Sequence, residues 1–275
     1  MITARIFSVI LLLLTLSSCT SRFQEAEDGA VTLALDQVNI VQGEWDFYWG
    51  QLLSPTQLEL DTSLKPSTVT VPSSWHTYVD SSGKTYPFFG SATYHITIRT
   101  TKPTQQAAML IPKIWCAAKV YINGELSYQA GQVSLTEEGY RNVMLEHVVP
   151  LPNGVETIDL VVQVSNHSLA FTSGLLEPFR LGPAYLIEGN FSTSSTWQVL
   201  MLGGLVFIGI YHFFLYYFRP EDKSTLYFGL FCFLIALLLI VFGEHELYRD
   251  LKGHWGVLSF PIQFRLYYLS IFASI

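Results

Sequence analysis

Glu44 and Asp46 stand either side of Trp45, and in an extended strand that spacing puts both carboxylates on one face. A pair of carboxyl groups about 5 to 9 Å apart across a cleft is the equipment of a glycosidase. Nothing in the sequence marks a cleft here, and a solvated strand face accounts for the same pattern. No glycine-rich phosphate loop, G-x-S-x-G elbow or H-E-x-x-H helix occurs. The three cysteines, Cys19, Cys116 and Cys232, are too scattered for a disulfide framework or a zinc site, and no Asp-rich calcium loop is present. The expectation is a protein that is not an enzyme and holds neither metal nor cofactor.

Binding is the chemistry that the residue types favour. Trp45, Trp49, Trp75, Tyr78, Tyr86, Trp115, Tyr128 and Tyr140 crowd one region, and flat rings stack on the apolar faces of sugars. Polar neighbours able to bind hydroxyls are His76, Arg141, Asn166 and His167. The candidate ligand contacts are therefore Trp75, His76, Tyr78, Arg141, Asn166 and His167. Each has a competing role: the tryptophans can fill a core instead, whereas Asn166 and His167 follow a strand and belong to a loop, where binding residues concentrate. From Arg22 to Thr196 there are nine Lys or Arg against seventeen Asp or Glu, a net −8, which makes nucleic acid and anionic lipid poor partners for this region.

The elements that would position these residues are strands. Tyr94-His95-Ile96-Thr97-Ile98-Arg99 alternates apolar and polar, and Ile158, Leu160, Val162 and Val164 recur at every second position. Lys119–Ile122 and Glu125–Tyr128 flank Asn123-Gly124, the dipeptide of a tight type I′ hairpin, and Pro152-Asn153-Gly154 is a turn. Short strands between Gly, Pro and Asn turns predict an all-β, two-sheet antiparallel sandwich over 31–190, after a polar linker at 20–30.

Apolar blocks flank this region. Arg5, the run Ile6–Leu16 and the small Ser17 and Ser18 make an export signal, too short at eleven residues to span a bilayer that needs about 20. Leu16-Ser17-Ser18-Cys19 also resembles a lipobox, which makes Cys19 a candidate for lipidation, with ordinary cleavage nearby as the alternative. Residues 1–19 are read as a signal peptide. Trp197–Phe218 carries no charge over 22 residues and predicts a first transmembrane helix. After the turn Arg219–Lys223 comes a second at 224–243, and 257–275 begins a third. The basic residues of the two connections balance, so the positive-inside rule gives no orientation; the export signal puts the sandwich outside and the Arg219–Lys223 turn in the cytoplasm. His212, Gln263 and Arg265 are the polar groups inside these spans, and such groups are costly in hydrocarbon and usually face protein. Glu244 or Glu246 could pair with Arg265, or Arg265 could snorkel to the interface. The chain stops at Ile275 within the third apolar segment, and the expectation is a piece of a longer polypeptide.

Three stretches carry a family likeness: Gly43–Pro55, GEWDFYWGQLLSP; Val71–Tyr78, VPSSWHTY, with Phe89–Ile98, FGSATYHITI; and Phe218–Leu237, FRPEDKSTLYFGLFCFLIAL. Phe264–Phe272, FRLYYLSIF, is similar to the start of a third span. In this order they resemble the bacterial seven-transmembrane receptors with diverse intracellular signalling modules. The resemblance implies a galactose-binding-like jelly roll, a seven-helix bundle and a cytoplasmic output domain, which full-length relatives would carry and these 275 residues do not. The implied function is the extracytoplasmic ligand-sensing part of a receptor in the cytoplasmic membrane. Its partners would be the lipid bilayer and a small molecule, with carbohydrate the class that the aromatic residues favour. The alternative is a membrane-tethered carbohydrate-binding or scaffolding module without signalling output.

Overall fold

The computed structural model describes residues 21–242, with only the backbone described at 193–195, 238 and 241–242. The signal peptide, Cys19, the third apolar segment, Gln263 and Arg265 lie outside the described residues.

The strands are β1 (Arg22–Ala26), β2 (Ala30–Leu33), β3 (Asn39–Trp49), β4 (Ser67–Val71), β5 (Ser73–Ser74), β6 (Gly90–Thr100), β7 (Ala107–Ile111), β8 (Ala117–Ile122), β9 (Glu125–Ala130), β10 (His147–Pro150), β11 (Thr157–Asn166), β12 (Gly174–Leu175) and β13 (Phe179–Pro183). Among the described residues three α-helices accompany them: α1 (Pro55–Leu60) after β3, then α2 (Ala184–Phe218) and α3 (Lys223–Phe242) after β13. Eleven strands form one sheet in the order β10-β7-β13-β3-β6-β11-β8-β9, antiparallel along this path, with β1, β2 and β4 added at β3 and β6.

β3 is the strand on which the sheet folds over. Its first residues, Asn39–Val41, pair with β13, whereas Asp46–Trp49 pair with β6. Met109 and Ile111 of β7 and Phe179 and Leu181 of β13 thereby meet Ile96 and Ile98 of β6 and Ile158, Leu160, Val162 and Val164 of β11 in one buried core. The result is the all-β antiparallel sandwich that the strand pattern predicts, with the jelly-roll architecture that the resemblance implies, followed by the apolar helices that the charge-free runs predict. At the fold-over, Gly43 has a φ of +111°, and a Cβ there would come within 2.5 Å of the Ala26 main chain. Only glycine admits this conformation and the close approach of β1 together.

Alternation decides what faces inward. Tyr94, Ile96 and Ile98 turn to the core, leaving Thr93 and His95 on the outer face. That face is partly roofed by the segment after β3. The Leu53 amide donates to Thr93 Oγ1 (2.9 Å) and Gln163 Nε2 donates to the Leu53 carbonyl (2.9 Å). α1 follows, started by a capping box in which Ser54 and Gln57 satisfy one another's main chain.

Two boundaries differ from the sequence reading. Residues read as a polar linker include β1, which pairs in parallel with β3 from Arg22↔Asn39 to Ala26↔Gly43. Only Ala26 of that strand is buried, so main-chain hydrogen bonds rather than an apolar pattern hold it. The first long helix starts at Ala184, well before Trp197, because its early turns pack on the sandwich through one narrow face.

Candidate functional site

The residues singled out for binding gather at the end of the sandwich where β6 begins and β11 ends, but much of their capacity is spent inside the protein. Trp75 is wholly buried, edge-on to Trp49 with ring centroids 5.3 Å apart, and its Nε1 donates to the Pro87 carbonyl (2.8 Å). Tyr78 is buried against Phe47 and donates its hydroxyl to the Thr70 carbonyl (2.9 Å). Asn166, also fully buried, gives its amide to the carbonyls of Phe88 (2.8 Å), Leu169 (2.8 Å) and Thr172 (2.9 Å), while its Oδ1 accepts the Leu169 N–H (3.0 Å). Trp75 and Tyr78 thus sit in the core, and Asn166 braces two loops.

The other three are nearer the surface. His76 stacks on Phe88 at 3.9 Å and donates Nδ1–H to the Tyr86 carbonyl (2.9 Å). His167 donates Nε2–H to the Ser134 carbonyl (3.0 Å) and meets the edge of Tyr140. Arg141 is exposed, its main chain paired with Gln132. Both histidines tie loops together.

A different constellation lies on the outer face, at strand positions set by register. Asp46 of β3 is the direct partner of His95 of β6, and β11 brings Asp159 to the other side of the ring. His95 donates Nδ1–H to Asp46 Oδ2 (3.2 Å) and Nε2–H to Asp159 Oδ1 (2.7 Å). Burial disfavours the charged imidazole, but hydrogen bonds to Asp159 and Asp46 and their charges outweigh it and raise its pKa to about 9. His95 is then an imidazolium at neutral pH. Both of its N–H groups are engaged, which removes it as a general base.

This triad borders a groove of about 420 Å³ lined by Pro55, Leu58, Glu59, His95, Asn123 and Asp159. The tip of the β8–β9 hairpin forms one wall. Asn123 and Gly124 have φ of +49° and +85°, as a type I′ turn requires, and Asn123 Oδ1 accepts the Asp159 N–H (2.7 Å). α1 forms the other wall with Leu58 and Glu59. Asp159, with its side chain 42% exposed, and the exposed Glu59 offer acceptors beside the apolar surface of Pro55 and Leu58. Such a groove can hold a small hydroxylated molecule. Sequence reasoning missed it because Asp46, His95 and Asp159 are 49 and 64 residues apart; the available signal was the polar His95 and Asp159 within two alternating strands. Glu44, the expected companion of Asp46, is exposed and accepts the Asp28 N–H instead (3.3 Å). Among the described residues no group of three or more His, Cys, Asp or Glu is placed to hold a metal ion.

Beyond the sandwich the chain becomes a helical hairpin. α2, 35 residues long, is long and apolar enough to cross a membrane, and α3 adds 20 more. Asp222 caps α3 by accepting the main-chain N–H (3.1 Å) and the hydroxyl (2.6 Å) of Ser224. The helices meet at Gly209 and Gly229: a Cβ on Gly209 would lie 2.7 Å from the Phe233 ring, and one on Gly229 would lie 3.2 Å from the Gly209 carbonyl. His212 donates Nδ1–H to the Ile208 carbonyl (2.9 Å) and lies 4.5 Å from the Phe228 ring of α3. Residues 194–275, which begin within α2, match the family described as 7TM diverse intracellular signalling. This part of the chain is similar to that family. The match and the length and apolar character of α2 agree in pointing to a membrane-associated region, and the sandwich precedes it in the chain.

No curated protein matches the chain in sequence. Solved structures overlap with just over half of it. A protein of Bacteroides fragilis assigned as a β-galactosidase is 19% identical, with a TM-score of 0.36, covering 53% of this chain and 23% of its own. The β-glucuronidase of Ruminococcus gnavus with uronic isofagomine is 14% identical, at 0.37, covering 55% and 29%. A GH2 β-galacturonidase of Eisenbergiella tayi bound to glycerol is 16% identical, at 0.32, covering 50% and 22%. This chain thus spans less than a third of the length of these enzymes, and at such scores the likeness carries no argument about its activity.

Proposed function

We propose that this chain is the sensing part of a membrane signalling receptor, in which the sandwich binds a small hydroxylated ligand outside the cytoplasmic membrane and the helices carry the response inward. One observation carries the reading: a sandwich with a polar groove is built directly onto the helix in which the 7TM signalling region begins. Placement of the sandwich outside is supported by the export signal Arg5–Ser18. Carbohydrate is the ligand class favoured, since Asp159 and Glu59 can accept hydroxyl hydrogens and Pro55 and Leu58 can lie against a sugar's apolar face. A binding role without catalysis fits the engaged state of His95. For signalling, the ligand must bind one conformation of sandwich and helices better than another.

The test is a thermal-shift and calorimetric screen of neutral mono- and oligosaccharides against the full chain in nanodiscs. The expected result is a sugar that raises the midpoint, with affinity lowered at least about tenfold in Asp159→Asn combined with Glu59→Gln, the loss of roughly 1.4 kcal/mol. A screen in which no sugar shifts the midpoint, or a binder indifferent to both substitutions, contradicts carbohydrate binding in this groove.

A further inference from the structure

No residue lies between the last strand and the first long helix. β13 ends at Pro183, and Pro183 is itself the cap of α2. The first helical N–H, of Ala184, donates to the Gln106 carbonyl beside β7 (2.8 Å), so the sandwich satisfies one of the donors that a helix start leaves open. The next turns are docked by a second apolar cluster, separate from the main core: Val38, Ala108, Leu110 and Ile187 are buried together, with Val148, Leu186 and Phe191 packed against them. Ala184, Ile187 and Phe191 fall at i, i+3 and i+7, one stripe of the helix. Ile187 is 2% exposed, whereas Trp197, where the charge-free run starts, is 62% exposed. From Phe191 to Trp197 the helix advances only about 9 Å. That distance is of the order of one polar layer of a bilayer, and leaves no length for a flexible tether.

The same dock adjoins β3, the strand that holds the histidine lining the groove. Val38, buried under Ile187, immediately precedes β3, and Asp46, farther along β3, holds His95. Gly182 packs against the other side of this corner, where a Cβ would come 2.8 Å from the Gln37 carbonyl.

We infer that the sandwich and the first span form one rigid body, with Ala184–Phe191 as the dock, so that a change in the sandwich reaches the helices as a tilt or rotation of α2. Its purpose rests on the sensing reading above, but its geometry does not.

The experiment uses the full chain in nanodiscs, with spin labels carried by unnatural residues at Lys119 of β8 and Phe207 of α2, and reads the distance distribution by pulsed electron resonance. The control inserts four glycines between Phe191 and Ser192. The expected result is a single narrow distribution, broadened about twofold or more by the insertion and also by Ile187→Asp with Phe191→Asp, while the midpoint of sandwich unfolding stays within a few degrees. If the double variant lowers that midpoint further, Ile187→Ala takes its place and must broaden the distribution. A native distribution as broad as that of the glycine insertion, or one that undocking leaves unchanged, overturns the inference. No ligand enters this measurement, so its failure leaves the sensing reading standing, and failure of the sugar screen leaves the rigid connection standing.

Discussion

His95 shows how little of a site is carried by one residue's identity. Its outward position was legible, because Tyr94 and Ile96 on either side alternate to the core. Its partners were not: Asp46 and Asp159 reach it only once β3, β6 and β11 are in register. Trp75 and Asn166 present the reverse case, since aromatic and amide side chains suited to ligands are equally suited to closing a core and bracing loops. The His95 pair interactions make a directional prediction. The folded pKa, about 9, lies above the ordinary histidine value of about 6.5. The stabilisation is therefore complete below about pH 6.5 and is lost as pH rises through about 9. Thermal melts should show the midpoint falling by a few degrees from pH 6.5 to 9.5, and a much flatter profile in His95→Gln. A profile unchanged by that substitution would show that the two carboxylates do not hold the imidazolium.

Among the elements, those legible in advance announce themselves locally. β11 has apolar residues at every second position from Ile158 to Val164, and the β8–β9 hairpin has Asn123-Gly124 at positive φ. β1 and the first turns of α2 do not, because each owes its conformation to a distant partner: β1 to the edge of β3, and Ala184–Phe191 to the Val38–Leu110 patch. The helical hairpin was visible as two apolar runs, but the place of closest approach was not. At Gly209 any larger residue meets Phe233 and the α3 main chain. Gly209→Leu should therefore separate α2 from α3, measured as weakened crosslinking between engineered cysteines at Phe213 and Phe233, whose rings stack at 5.4 Å. Gly203, which has nothing within 4 Å of an added Cβ, is the matched control and should tolerate leucine without loss of that crosslink.

For the molecule as a whole, one chain joins two solvents. The sandwich buries its apolar residues between strands and carries an excess of acid, whereas the helices beyond Trp197 expose phenylalanines and leucines over their length. That contrast is what a bilayer around the helices produces, and residues 194–275 match the 7TM diverse intracellular signalling family. A receptor for an outside ligand further requires the sandwich to stand on the far side from the cytosol. Protease added to intact spheroplasts tests this most directly: digestion of the segment before Trp197 without lysis is the predicted result, and a segment that stays intact until the cells are broken open would contradict the account.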